Sequence, residues 1–252
     1  MLSDEELDRY ARQIILKEIG GGGQARLKEA TVAVVGAGGI GSPVIQYLAA
    51  AGVGRLIVID DDRVELSNLQ RQTIFASAEQ GLSKATQAAH AARRINPLIR
   101  TRAVGERIDG NNAGTLLADA DVVVDGCDNF MTRLAVADAA LALRVPLVSA
   151  AVGQLEGQLA VYRGWEPDRP CYRCFVGDVP DRAEASCAEA GVLGPVTGML
   201  GSLAALEAVR ALVPFGDDPA GKLLLIDLAA WRFRAIGLPK DPGCRACGQM
   251  PA

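Results

Sequence analysis

The sequence predicts an α/β protein: a doubly wound, mainly parallel sheet with an antiparallel C-terminal extension and a structural zinc site. Three observations predict it. Short apolar β runs alternate with helical stretches up to Gly153. The first β run leads into Gly36-Ala37-Gly38-Gly39-Ile40-Gly41, a glycine turn that opens a helix and gives a Rossmann-like start. Two Cys-x-x-Cys pairs, Cys171/Cys174 and Cys244/Cys247, bracket the C-terminal part.

The elements follow in order. Ser3 and Glu6 have capping-box spacing, and Leu7, Tyr10, Ile14 and Ile15 supply the apolar stripe of a first helix. Four glycines, Gly20 to Gly23, are expected to end it. A strand over 31–35, a helix over 42–51 and a strand over 55–60 form a β-α-β unit around the glycine turn. A helix over 84–95 stops before Asn96-Pro97, and strands over 101–104 and 121–125, a helix over 131–143 and a strand over 147–150 continue the alternation. Past Gly153 the pattern changes. Runs at 157–163, 223–227 and 231–236 read as strands without crossover helices, hence as an antiparallel extension. An irregular stretch over 165–190 and a small-residue helix over 195–212 lie between them. The expected organisation is one domain over 1–252, with a nucleotide-binding half at 1–153 and the extension, crossover loop and zinc site at 154–252.

Composition narrows the function. A chain of 252 residues, half of them apolar, can bury a large core. The net charge of −4 and the absence of long Lys/Arg runs speak against nucleic-acid or anionic-membrane binding. Arg93-Arg94 reads as a solvated helix face. The acidic N-terminus lacks a signal-peptide pattern, and the most apolar stretches carry charges and a proline each, so a cytoplasmic protein is expected. The single histidine, His90, sits in a helical stretch and reads as structural, so chemistry must rest on Arg, Lys, Asp, Cys and backbone groups.

The turn Gly36-x-Gly38-Gly39-x-Gly41 lets backbone N–H groups approach phosphate, and Asp60, at the end of the next strand, can accept hydrogen bonds from ribose. On these two features alone an NAD-dependent oxidoreductase would be the default reading. Arg71 shifts the balance, because a guanidinium fork suits a triphosphate. Lys84 opens the next helix and offers a second cation, and Asp128-Asn129 follows a strand at the same sheet edge, where an aspartate can hold Mg²⁺ beside phosphates.

Arg9-Tyr10-x-Arg12-Gln13-Ile14, the glycine turn, Ser67-Asn68-Leu69-Gln70-Arg71-Gln72, Cys171-Tyr172-Arg173-Cys174 and Cys244-x-x-Cys247 together resemble the ThiF/MoeB family, over about residues 3–249. These are sulfur-carrier adenylyltransferases of thiamine and molybdopterin biosynthesis, kin to ubiquitin-activating enzymes. The resemblance implies that Gly39 lies against ATP and Asp60 holds the ribose. It places Asn68, within the Ser67–Gln72 segment, Arg71 and Lys84 on phosphates, and Asp128, beside Asn129, on Mg²⁺. It also implies that Arg12 reaches the site of a neighbouring subunit, making a homodimer. No role is carried over to Cys127, which is expected to be a buried small thiol.

Four thiolates in two pairs suit tetrahedral Zn²⁺, whose saturated coordination makes the site structural; a redox Cys-x-x-Cys is the competing reading. Cys187 lies in a small, polar stretch, and the resemblance associates this position with sulfur transfer or covalent capture in part of the family. The expected reaction is ATP-dependent adenylation of the C-terminal Gly-Gly carboxylate of a ubiquitin-like sulfur-carrier protein. A separate sulfur donor, a cysteine desulfurase or rhodanese, would then form the thiocarboxylate. Activation of a carboxylate on modified tRNA is the alternative within the same chemistry.

Overall fold

The computed structural model describes residues 1–178 and 191–248. Eight strands form one sheet in the order β3-β2-β1-β4-β5-β6-β7-β8. β1 (Thr31–Val35), β2 (Arg55–Ile59), β3 (Arg100–Val104), β4 (Val122–Asp125) and β5 (Leu147–Gly153) run parallel. β6 (Glu156–Tyr162), β7 (Lys222–Asp227) and β8 (Arg232–Gly237) continue it antiparallel. Every residue of β1 is buried. Val32 and Val34 join the core on one face, Ala33 and Val35 the core on the other, as the two-residue period of a central strand requires.

The first face is covered by α3 (Gly41–Ala51), α4 (Lys84–Ile95) and α8 (Gly194–Leu212), whose Leu48, Ala88 and Leu200 are fully buried. α5 (Ala113–Leu117) and α6 (Phe130–Leu143) cover the second. α7 (Tyr172–Val176) follows Cys171.

The N-terminus departs from expectation. α1 (Asp4–Ile14) carries the capping box, with Glu6 N–H donating to Ser3 Oγ and Ser3 N–H to Glu6 Oε2. The four glycines do not end it; they form the first turns of α2 (Gly20–Glu29). Glycine disfavours a helix, but buried Leu27 and Gln24, whose Nε2 donates to Ala51 O at 2.9 Å, hold this one in place. The expected apolar stripe is buried only in part: Tyr10 is enclosed, whereas Leu7 and Ile15 are exposed.

Candidate active site

The strand order reverses its winding between β1 and β4, and the loops that leave their C-terminal ends frame a cleft, as parallel sheets prescribe. The loop after β1 is the glycine turn. Gly36 takes φ +86°, and a Cβ on Gly41 would sit 1.8 Å from Gly36 O, so the turn can close only without that side chain. Gly36, Gly38, Gly39 and Ile40 line a cavity of about 530 Å³. Gly41 does not line it and serves to close the turn.

Asp60 follows β2. Its Oδ2 accepts the Ala37 N–H at 2.7 Å and its Oδ1 the Asp62 N–H at 2.9 Å, tying the acid to the turn. Burial pushes its carboxyl above the usual value, and Lys84 nearby pulls in the opposite sense. The carboxylates of Asp60, Asp61 and Asp62 cluster within 4.8 Å, but Asp61 is paired with Arg107 and Asp62 with Lys84, at 3.0 and 2.8 Å. Lys84 is buried at the first position of α4, behind the Ser83 cap.

The 66–72 segment forms a short 3₁₀ turn. Buried Asn68 accepts the Arg71 and Gln72 N–H groups at 3.0 and 2.9 Å, which aims both following side chains into the cavity. Ser67 and Asn68 themselves do not line it. Arg71 donates to Ser67 O at 3.1 Å and has no carboxylate partner among the described residues. On the β4 side Gly126, Cys127, Asp128 and Asn129 line the cavity. Asn129 caps α6 by accepting the Thr132 N–H at 3.0 Å, and Asp128 makes no hydrogen bond or ion pair to any described residue. Beneath this loop, buried Arg133 binds Asp125 at 3.6 Å and donates to Ala150 O and Cys127 O. Cys127 is half-buried in the cavity wall rather than enclosed in the core. Burial and the adjacent Asp125 push its thiol well up, and it donates to Asp125 Oδ1 at 2.8 Å.

Arg12 is exposed on α1 and outside the cavity lining, so this chain does not bring it to its own cleft. Its neighbours in the motif explain why: Tyr10 accepts a hydrogen bond from buried Asn96 at 2.7 Å, and Gln13 donates to Gln24 and Ala51 O at 3.2 Å. These anchors fix α1 and leave Arg12 pointing away. His90 is exposed on α4, and Cys187 lies outside the described residues.

Cys171, Cys174, Cys244 and Cys247 come together with all four Sγ atoms within 4.8 Å. Adjacent pairs stand at 3.8, 3.6 and 3.4 Å. A regular tetrahedron with Zn–S near 2.3 Å has S···S edges of about 3.8 Å, so the four thiols fit a metal of that size. Leu141 and Trp165 pack against the cluster. Tyr172, between two of the cysteines, lines the cavity and thus joins the cluster to the cleft wall.

Gln72, Arg107, Thr197, Tyr172 and Gln158 also stand in the cavity wall, without a role assigned to them from the sequence. Thr197 presses on Gly39, where a Cβ would meet it at 3.0 Å. Of these, Gln72 and Tyr172 carried a signal beforehand, as members of the motifs around Arg71 and between Cys171 and Cys174.

Residues 10–246 match the ThiF family. The chain belongs to the ThiF family. This ThiF-family chain is 47% identical to the sulfur carrier protein adenylyltransferase of Thermus thermophilus, over 98% of its own length and 93% of the relative's. It is 42% identical to the molybdopterin-synthase adenylyltransferase of Escherichia coli, over 98% and 99% of the two chains. A crystal structure of E. coli MccB superimposes with TM-score 0.83, covering 96% of this chain and 75% of that one, and at 22% identity supports the fold alone.

Proposed function

We propose that this protein adenylates the C-terminal glycine carboxylate of a ubiquitin-like sulfur-carrier protein with ATP, releasing pyrophosphate. The observation that carries the reading is the charge layout of the cleft: an unpaired Arg71 and an unpaired Asp128 in the wall of one cavity built on a glycine turn. The relatives' names supply the substrate class. A second groove, lined by Glu156, Leu225, Asp227, Arg232 and Arg234, shares Ala151, Val152 and Gln158 with the cleft. The two adjoin, an arrangement that suits an extended peptide tail running along the antiparallel strands towards the nucleotide site.

Asp60 accepts the ribose hydroxyls, and the glycine turn offers backbone N–H groups to the phosphates. The tail's carboxylate is already ionised at pH 7, so no general base is required. Its oxygen bonds to the α-phosphorus as the α–β bridging bond breaks, and the electron pair leaves with pyrophosphate. Arg71 and Lys84 neutralise the phosphate charge, and catalysis rests on position and electrostatics. Asp128 would hold Mg²⁺, which supplies further neutralisation there. The four-cysteine cluster would hold Zn²⁺ in a closed, structural site.

The working form is a homodimer in which Arg12 of a second copy completes the cleft; exposed Leu7, Ile15 and Leu16 around Arg12 offer an apolar contact face. Residues 1–153 hold the nucleotide, and residues 154–252 supply the tail groove and metal clasp of the same unit. A separate cysteine desulfurase or rhodanese delivers the sulfur. The proposed compartment is the cytoplasm, whose reducing conditions keep clustered thiols available for metal. No helix among the described residues is long and apolar enough to cross a membrane.

Carrier-dependent ATP–pyrophosphate exchange tests the reading. Arg71→Ala should lower it by about 10²–10³-fold, the usual loss of one preorganised charge-stabilising group. The fold should persist, since Arg71's hydrogen bond is to the backbone of its own turn. Near-normal exchange in that variant would remove Arg71 from the phosphate site.

A further inference from the structure

Among the described residues, Gln72 Oε1 is the one buried side-chain polar atom with neither a hydrogen bond nor an ion pair. The residue is 4% exposed, lines the cleft and packs beside the glycine turn, its Nε2 3.8 Å from where a Gly38 Cβ would stand. Its backbone is fixed, with N–H donating to Asn68 O at 2.9 Å and the carbonyl accepting from Phe75 N–H at 3.2 Å. Buried polar groups are almost always satisfied, so an acceptor without a protein partner in a rigid cavity wall takes its donor from the cavity, from solvent in the free protein and from substrate in the complex.

The chemistry of that partner follows from the atom. An amide oxygen accepts and cannot serve phosphates or a carboxylate, which at neutral pH are acceptors too. The neighbouring cations Arg71 and Lys84 match the phosphates, as an amide N–H could; the Gln72 carbonyl does not. Asp60, the proposed ribose acceptor, follows a different strand. The group that must come next to the phosphate turn and carries a donor is the last peptide bond of the tail, because its carboxylate has to reach the α-phosphorus. We propose that Gln72 is a substrate-contacting residue whose side-chain carbonyl accepts the N–H of the carrier's terminal residue and so aims the adjoining carboxylate. This rests on the adenylation reading above and names how the tail is held in that site.

Two measurements test it. The first needs no substrate. Gln72→Met replaces the amide by an unbranched apolar side chain of similar volume. If the carbonyl is kept for a ligand, the free protein loses nothing, and its Tm stays level or rises by about 2–4 °C. A fall of that size would make Gln72 a structural residue and overturn the proposal. The second uses exchange with the carrier, prepared by semisynthesis with either glycine or sarcosine (N-methylglycine) at its end. Wild type should lose at least about tenfold in kcat/KM with the sarcosine end, the worth of one buried hydrogen bond. Gln72→Met should show an elevated KM for the glycine-ended carrier, an unchanged KM for ATP, and little further loss with sarcosine. An equal sarcosine penalty in both enzymes, or an effect confined to the KM for ATP, overturns the assignment to the tail. Absence of exchange in wild type with any carrier would sink the adenylation reading instead, and the Tm comparison would still decide whether the amide is built for a ligand.

Discussion

The glycines of the turn divide into two kinds when one asks what a methyl group would touch. At Gly41 it would overlap Gly36 O at 1.8 Å, a backbone atom that cannot swing aside. At Gly38 the nearest atom is Gln72 Nε2 at 3.8 Å, an ordinary contact. Gly41→Ala should therefore destabilise by about 3 kcal/mol or more, in the range of forced overpacking. Gly38→Ala should fold with a near-normal Tm and lose ATP affinity, because the added methyl enters the space proposed for the phosphates. Thermal melts and ATP titration of both variants check this, and equal melting of the two would remove the distinction. Of the candidate site, Asp60, Lys84 and Asp128 were legible in the sequence because each stands at or near the end of a strand or start of a helix that periodicity locates, and Arg71, in the turn after the 3₁₀ segment, was legible through its charge and its motif. Gln72 was visible as a neighbour in the motif, but its role was not. Whether an amide is satisfied depends on what folds over it, and that is tertiary information.

At the scale of elements, the sheet was readable and the N-terminus was not. Continuous apolar runs mark buried strands, and the loss of the regular strand–helix alternation after Gly153 announced the antiparallel extension. Propensity misled at Gly20–Gly23, where packing of Leu27 and Gln24 outweighs the helix-breaking tendency of glycine. The short helices α5 and α7 hold too few residues for a period to show. α1 carries a pH signature of its own. Lys28 Nζ lies 2.8 Å from Glu6 Oε2, and the Ser3 N–H donates to the same oxygen, so Glu6 titrates below its ordinary value of 4.5. A carboxyl whose value is lowered by folding binds fewer protons in the native state, so its stabilisation is present above pH 4.5 and fades as pH falls through the lowered value. Glu6→Gln should melt below wild type at pH 7, with the gap closing under strong acid. Melting curves across pH 3–8 test this; a gap independent of pH would assign the effect to packing.

At the scale of the molecule, the proposed homodimer would bring Arg12 of a second copy to the cleft. Arg12 sits on the outside of α1, held there by the anchors at Tyr10 and Gln13. A dimer that shares its sites makes a specific arithmetic prediction. Arg12→Ala and Arg71→Ala proteins should each be inactive alone, and mixing should restore up to about a quarter of the wild-type exchange. Half the dimers are mixed under free subunit exchange, and each carries one intact composite site. No recovery, with exchange of subunits demonstrated by a tagged copy, would count against a trans-acting Arg12.

With a metal bound, the four-cysteine clasp would also act where no sheet exists. Its two pairs join positions 73 residues apart, and the stretch between them includes α8, β7 and the exposed edge strand β8. In the unfolded chain a metal ion bound across both pairs would close that stretch into a ring and remove about 4 kcal/mol of conformational freedom on the chain-entropy account. The ion would thus keep the two ends of the extension within reach of each other before β7 and β8 have found β6.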